Sequence, residues 1–422
     1  MTKTKHLRPL FLIGLTGLVL GVVLAPATAR SADDVIKIGQ STALSGPNAT
    51  WGVGARRAAA IAVEDLNAKG GVRGKKLELV SLDSEHNPVK AIANYRQLVE
   101  RERVVALLGG SNSASMLAAA PIVNNELKVP LICPATDATE ITENEAWKTG
   151  ASNFMFRYGM FGRGQSNAMV RFAVEKFGYK NIALFTWTAG WGVTGRGALL
   201  DALKERKMVP VADETYGGSD TDMTPQLMKI KNANAEVILN YGLTRENTYI
   251  VRTKSKLNDK TPYLSAWGIA SDSFWEAAKE FAEGALTTTT ITPYGPQPPK
   301  VQAFLNRYHA KHGKNLEAIA ATFAAYDIVH LFAQVMEKVG TSPDAIRRGL
   351  EEVTYFDGVV KEFKRPLFTR ERHDAFIWNE DFILARWTKG ELLKVEFDDK
   401  GPFVVSSDGV KNYINKKTGE LR

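Results

Sequence analysis

The sequence predicts an α/β protein built as two doubly wound, parallel-sheet lobes. Strand-length β-branched runs alternate with helix-length amphipathic ones, and helical crossovers of that length imply parallel strands with right-handed connections. The alternation breaks over the loop from Pro134 to Asn153 and then restarts, which suits two sheets better than a single sheet of eight strands. The pattern changes again after Ala285, where a Thr-rich strand, a Pro-rich turn, a long helix and an antiparallel-looking tail take over. The predicted division is 34–154 with 286–355 for one lobe and 155–285 with 356–422 for the other.

VIKIGQSTA (35–43) is short and β-branched, hence a strand. In the helix that follows, Ala55, Ala58, Ala59, Ala62 and Leu66 share one face, and Gly70-Gly71 stops it. KLELVSLD (76–83) is the next strand. Asn87 caps the helix over 89–100, and Pro88 suits its first turn, where a missing N–H costs nothing. VVALLGG (104–110), a helix from Ser113 and VPLIC (129–133) complete the first series. NIALFTW (181–187), MVPVADETY (208–216), AEVILNYG (235–242) and TPYLSAW (261–267) are the strands of the second, with helices between them. TTTTI (287–291) is the Thr-rich strand, LEAIAATFAAYDIVHLFAQVMEKV (316–339) the long helix, and the tail runs from Phe356 to Phe397.

Residues 1–29 read as a cleavable leader for export. Lys3, Lys5 and Arg8 precede an apolar run too short and Gly-rich for an anchor, and Ala27-Thr28-Ala29 supplies the small residues a signal peptidase needs. The absence of cysteine near the cut argues against a lipid anchor. Cleavage after Ala29 leaves 393 of the 422 residues, enough for about two domains. Without Lys3, Lys5 and Arg8 the formal charge of +8 falls to +5, and that excess is scattered, with no basic run or aromatic–basic stripe for nucleic acid. No later apolar run reaches the roughly 20 residues a spanning helix needs. The single cysteine, Cys133, excludes an internal disulfide and, in an apolar strand without a nearby histidine, reads as a buried structural thiol.

Ligands of open α/β sheets bind outside the carboxyl ends of the strands, and unusual residues gather at those ends here. ALLGGSNSAS (106–115) closes a buried strand on two glycines and opens a helix with Ser111, Asn112, Ser113 and Ser115. Their hydroxyls and N–H groups suit an anion, and the same residue types suit a helix cap. Trp51, the Pro134 loop, Trp191, Leu243 and Trp267 follow other strand ends. Gly190-Trp191-Gly192-Val193-Thr194-Gly195 fits the G-x-G-x-x-G dinucleotide fingerprint, with Asp213 further on. A tryptophan in the first variable position would crowd a pyrophosphate, so a tight strand-to-helix turn presenting Trp191 is the better reading. His309 and His312, in the lysine-rich RYHAKHGK, read as a solvated helix face rather than a metal pair. The sequence has neither a G-x-S-x-G elbow nor a P-loop, and it implies no cofactor and no metal.

The stretches IGQSTALSGPNATWGVGARRAAAIAVEDLNAKGGVRGKKLELVSLDSEHNP, VVALLGGSNSAS and VPLICPATDATEIT together resemble the leucine/isoleucine/valine-binding protein family. These are the type I solute receptors of branched-chain amino-acid ABC importers, and the resemblance runs from Val35 to beyond Asp357. It implies a type I periplasmic binding protein fold, two lobes joined by a three-strand hinge with one small ligand clamped between them. It also implies a periplasmic monomer that hands its ligand to an ABC permease in the inner membrane, without cofactor or catalysis. By position, Gly110, Ser111, Asn112 and Ser113 match the turn that grips the ligand carboxylate. Asp137 falls where the family usually has a threonine touching the same end, leaving Thr136 or Thr139 to substitute. Trp51 and Trp191 match aromatic positions that cover the ligand, and Leu243 or Thr244 lies near a position often held by tyrosine.

Trp267-Gly268 departs from the family, whose amino-acid binders usually place a carboxylate there for the ligand ammonium. Glu246 or Asp272 could compensate from nearby turns. Without either, a buried ammonium would cost several kcal/mol, which favours an aromatic or aliphatic acid over an apolar amino acid. Indole faces hold cations at roughly 0.5–2 kcal/mol, which keeps the amino acid open. Two other functions share parts of the pattern: an exported sensor for a membrane signalling partner, and a dinucleotide-dependent dehydrogenase using the glycines from Gly190.

Overall fold

The computed structural model describes Met1, Thr2 and residues 35–46, 49–377 and 379–422. The expected leader, beyond its first two residues, lies outside the described residues. Residues 35–422 form one compact unit.

Its first sheet contains β1 (Val35–Thr42), β2 (Lys76–Asp83), β3 (Ala106–Leu108), β4 (Leu131–Cys133) and β5 (Met155–Arg157). Among the described residues the order is β2-β1-β3-β4-β5, with every pairing parallel. Between these strands run α1 (Ala49–Ala68), α2 (Pro88–Arg96), α3 (Ser113–Ile122) and the short α4 (Glu145–Thr149). Asn87 caps α2 as its sequence indicates, its side chain accepting from the Val89 and Lys90 N–H groups, with Pro88 in the first turn. Ala55, Ala58, Ala59 and Ala62 of α1 are buried, and Leu66 is half-buried.

The second half continues with α5 (Gly162–Arg171), β6 (Ile182–Trp187), α6 (Trp191–Glu205), β7 (Ala212–Tyr216), α7 (Thr224–Asn232) and β8 (Val237–Tyr241). Then come α8 (Thr244–Lys256), β9 (Tyr263–Ser265), α9 (Asp272–Ala278) and β10 (Leu286–Thr289). These strands pair in parallel in the order β10-β9-β8-β6-β7. After β10 the chain leaves this sheet for α10 (Pro299–His312), α11 (Ile319–Val339) and α12 (Pro343–Glu351). Helix α11 lies along the alanine face of α1, so close that a Cβ on Gly54 would overlap the Thr322 hydroxyl. A small hairpin follows, β11 (Phe356–Asp357) with β12 (Glu362–Phe363). Finally β13 (Ile383–Thr388), β14 (Glu391–Asp398), β15 (Gly401–Val405) and β16 (Lys411–Tyr413) extend the second sheet antiparallel from β10, to nine strands among the described residues.

Sheet membership corrects the expected boundaries at three points. Met155–Arg157 pairs with Leu131–Cys133, so the first sheet extends past residue 154. Leu286–Thr289 pairs with β9 and β13, so it belongs with the second sheet rather than the first. Residues 356–377 stay beside the first sheet, where the His373 ring stacks on Phe156 at 3.8 Å and Asp374 pairs with Arg157 at 2.6 Å. Buried Asp327 of α11 ties the same region together, accepting from the Tyr158 hydroxyl (2.9 Å) and the N–H groups of Val359 (2.7 Å) and Val360 (2.9 Å). Among the described residues the chain therefore passes between the sheets after β5, after β10 and before β13.

Helix α11, at 21 residues, is long and apolar enough to cross a membrane, contrary to the expectation that no run after the leader reaches spanning length. It is mostly buried within the fold, where it serves as a core helix. Strand order reverses at β1/β3 in the first sheet and at β6/β8 in the second. Crevices open at such points, outside the carboxyl ends of the strands.

Candidate functional site

A cavity of about 430 Å³ lies where the loops from the two reversal points meet. On the first-sheet side stand Trp51 in the first turn of α1, Ser111 and Asn112 in the turn after β3, Ser113 and Ala114 at the start of α3, and Ala135–Ala138 in the turn after β4. On the second-sheet side stand Trp187 at the end of β6, Gly190 in the turn after it, Trp191 and Thr194 at the start of α6, Leu243 in the turn after β8 and Trp267 in the turn after β9. Rings from the two sides meet: Trp51 and Trp267 pack edge to face with centroids 5.5 Å apart.

The three polar residues of the β3–α3 turn play different parts. Asn112 is the cap of α3, its Oδ1 accepting from the Ala114 (2.9 Å) and Ser115 (3.4 Å) N–H groups while its Nδ2 donates to the His86 carbonyl (3.2 Å). The expected donor is thus committed to holding the turn. Ser113 Oγ accepts from the Asp137 (3.0 Å) and Ala138 (3.4 Å) N–H groups, leaving its own proton to give. Ser111 Oγ is inaccessible to solvent and has no partner among the described residues. Gly110 lies outside the main cavity; it lines a small adjoining pocket, and its N–H donates to the Tyr95 hydroxyl at 3.3 Å.

The glycines from Gly190 are explained by packing. Gly190 has φ +53°, a conformation that favours glycine, and a Cβ on Gly195 would overlap the Tyr241 ring. Asp213, where the fingerprint would want a free acid for a ribose, pairs with Arg196, whose Nε donates at 2.8 Å. The turn presents Trp191, edge to face with Tyr241 at 5.0 Å. Thr244 does not line the cavity; its hydroxyl donates to the Gly268 carbonyl at 2.9 Å and braces the neighbouring turn. Glu246 and Asp272 do not line it either. Asp272 accepts from the Tyr294 hydroxyl (2.8 Å) and the Leu316 N–H (2.7 Å), while Glu246 is buried in the first turn of α8. Cys133 is buried in β4, where burial pushes its thiol up to about 12.

Among the described residues, Asp137 is the one carboxylate lining the cavity, and no lysine or arginine lines it. Asp137 is buried, neither of its oxygens has a hydrogen-bond partner, and burial pushes its carboxyl up to about 7 against the opposing pull of Arg157. Arg157 itself makes four hydrogen bonds, to Asp374 (2.6 Å), the Thr142 hydroxyl (2.9 Å) and the carbonyls of Thr136 (3.3 Å) and Ala138 (2.8 Å). It thereby braces the loop that carries Thr136 and Asp137. Gly162 leaves room for the carboxylate, since a Cβ there would lie 2.7 Å from Asp137 Oδ2. A wider groove of about 720 Å³ meets the cavity at Asp137, Ala138 and Thr194.

His86, Leu117, Trp187 and Thr194 line the cavity without having been anticipated. Trp187 closes a strand, and the rule that found Trp191 just past the end of that strand stops one step short of it. His86 stands beyond β2 at φ +61°, in a turn whose sequence, SEHNP, signals only the next helix.

Two strand-order reversals facing one small cavity, indoles on both walls and unpaired polar atoms inside it define a two-lobed receptor fold for a small solute. Residues 35–391 match the family model for periplasmic binding proteins, and the chain belongs to that family. A Leu/Ile/Val-binding protein homolog 7 from Brucella suis biovar 1 is 32% identical over 90% of this chain and 96% of its own length. An "Amino acid binding protein" from Pseudomonas aeruginosa is 28% identical over 68% of this chain and 75% of its own. The crystal structure of a type 1 periplasmic binding protein from Bordetella pertussis Tohama I superposes with a TM-score of 0.73 at 28% identity, covering 86% of this chain and 99% of that one.

Proposed function

We propose that this protein is the exported receptor of an ABC importer of the branched-chain amino-acid type, holding a small carboxylate-bearing solute in the 430 Å³ cavity and passing it to an inner-membrane permease without catalysis. Export rests on the leader read over residues 1–29. The observation that carries the reading is the unpartnered Ser111 hydroxyl beside the Ser113 proton at the start of α3, walled by indoles from both sheets. A desolvated hydroxyl without a partner is costly unless a ligand satisfies it. The ligand carboxylate sits there, on donors and the positive end of α3. Site residues in this reading are Trp51, Ser111, Ser113, Thr136, Asp137, Trp187, Trp191, Leu243 and Trp267. The lobes are drawn by sheet, 35–157 with 299–377 and 162–289 with 383–422. Names of relatives support an amino acid as the solute. Native mass spectrometry of the exported protein, followed by calorimetry with the molecule it carries, tests this. One small acid or amino acid bound per chain is expected, and saturable binding that survives disruption of the cavity by Trp191→Ala with Ser111→Ala would overturn it.

A further inference from the structure

We infer that Asp137 is a cation subsite of this cavity, holding a positively charged nitrogen of the solute, an amine or an N-methylated ammonium, from the first-sheet side. The inference rests on the receptor reading and adds the chemistry of the ligand's second pole.

Asp137 is buried and faces the cavity, and both of its oxygens lack partners among the described residues. Three nearby groups that might have satisfied it are engaged elsewhere. Arg157 pairs with Asp374 at 2.6 Å and donates to Thr142, Thr136 and Ala138, with no hydrogen bond to Asp137. The Tyr241 hydroxyl donates to the Gly162 carbonyl (3.2 Å) and shares a hydrogen bond with the Ser166 hydroxyl (2.8 Å). Arg163, at the rim, pairs with Glu143 at 2.9 Å. When Asp137 is ionised, the residues lining the cavity carry one negative charge and no lysine or arginine to match it.

A buried carboxylate left in that state is unfavourable, and a partner of opposite sign relieves it. A second carboxylate placed against it would have the opposite effect, so an acid without an amine is a poor match for this wall. A metal ion is a poor match too, since the described residues offer no group of three or more potential ligands. The other walls are indoles, Trp51, Trp187, Trp191 and Trp267, whose π faces attract organic cations. The second-sheet wall offers no acid: Trp267 stands there, Asp272 is engaged by Tyr294 and Leu316, and Glu246 does not line the cavity. The cavity's acid stands on the first-sheet side, in the loop braced by Arg157.

The test is a thermal-shift screen at pH 8 with matched pairs: leucine with 4-methylpentanoate, phenylalanine with 3-phenylpropanoate, and trimethylglycine with 3,3-dimethylbutanoate. Hits are then measured by calorimetry on the wild type, Asp137→Asn, Asp137→Glu and Glu246→Gln, with circular dichroism confirming the fold. The nitrogen-bearing member of a pair is expected to bind at least tenfold more tightly than its partner. That preference should be lost in Asp137→Asn, retained at lower affinity in Asp137→Glu, and unchanged in Glu246→Gln. Equal or tighter binding of the nitrogen-free acids, or a preference that survives Asp137→Asn, overturns the inference and leaves the receptor reading standing. Failure of every compound to bind overturns both.

Discussion

Ser111 and Ser113 stand two residues apart in one turn, and their hydroxyls are placed for different ends. Ser111 Oγ has no protein partner among the described residues, so Ser111→Ala removes nothing the folded chain uses. Affinity for the solute should fall by about 1–3 kcal/mol with the melting temperature unchanged, as calorimetry and thermal unfolding would show. Ser113 Oγ accepts two backbone N–H groups of the Asp137 loop, so Ser113→Ala should lower both affinity and melting temperature. Asp137 adds a pH dependence. Its carboxyl is raised by burial from 3.8 to about 7, with Arg157 opposing, while Tyr241 and His86 share its surroundings. A raised acid contributes stability that is complete below its unfolded value and is lost as pH climbs from about 4 to about 7. Without ligand, Asp137→Asn should therefore melt higher than the wild type at pH 8, and the gap should close at pH 4. A constant gap across that range would show that the carboxyl is not perturbed.

At the scale of the element, the turn into α6 shows why glycine spacing alone misleads. Gly195 sits mid-helix, where alanine ordinarily gains about 1 kcal/mol. Here the added methyl would enter the Tyr241 ring, which is fully buried and cannot swing aside. Overpacking of that kind costs about 1–3 kcal/mol, so Gly195→Ala should lower the melting temperature, and displacing Trp191 from Tyr241 should weaken solute binding too. The G-x-G-x-x-G string was legible as a turn in the sequence, but the ring that demands its last glycine lies 46 residues further on. Elements with their own periodicity or caps, such as the alanine face of α1 and the Asn87-Pro88 start of α2, could be read directly. Strand β5 could not, because three residues carry no period and only pairing with β4 makes them a strand. Strand β10 was legible, but its sheet was not, since membership depends on β9 and β13 on either side. The cavity followed the same rule: Trp51, Trp191 and Trp267 were found because they follow strand ends, whereas the solitary state of Asp137 depends on Arg157 being committed to Asp374, more than two hundred residues away in sequence.

At the scale of the whole molecule, the walls of the cavity come from two sheets joined by three passages of chain among the described residues. An edge-to-face pair such as Trp51 with Trp267 adds about 0.5–1.5 kcal/mol beyond its buried area, which is little to set against the desolvation of Ser111 and Asp137. Solute shifts that balance, because it replaces the water that Ser111 and Asp137 of the first-sheet wall lose when the second-sheet wall closes over them, and it adds contacts to that second wall. A ligand can move an equilibrium only by its differential affinity for the two states, and here that difference consists of the contacts it makes to the far wall. Small-angle scattering should accordingly give a smaller radius of gyration with saturating solute than without. In Trp191→Ala, which keeps the first-sheet donors but removes an indole from the opposite wall, the contraction should shrink along with the affinity. If the curve of the wild type is the same with and without a solute that calorimetry shows to be bound, the passages between the sheets are not a hinge, and the cavity is a fixed pocket filled through the groove beside Asp137.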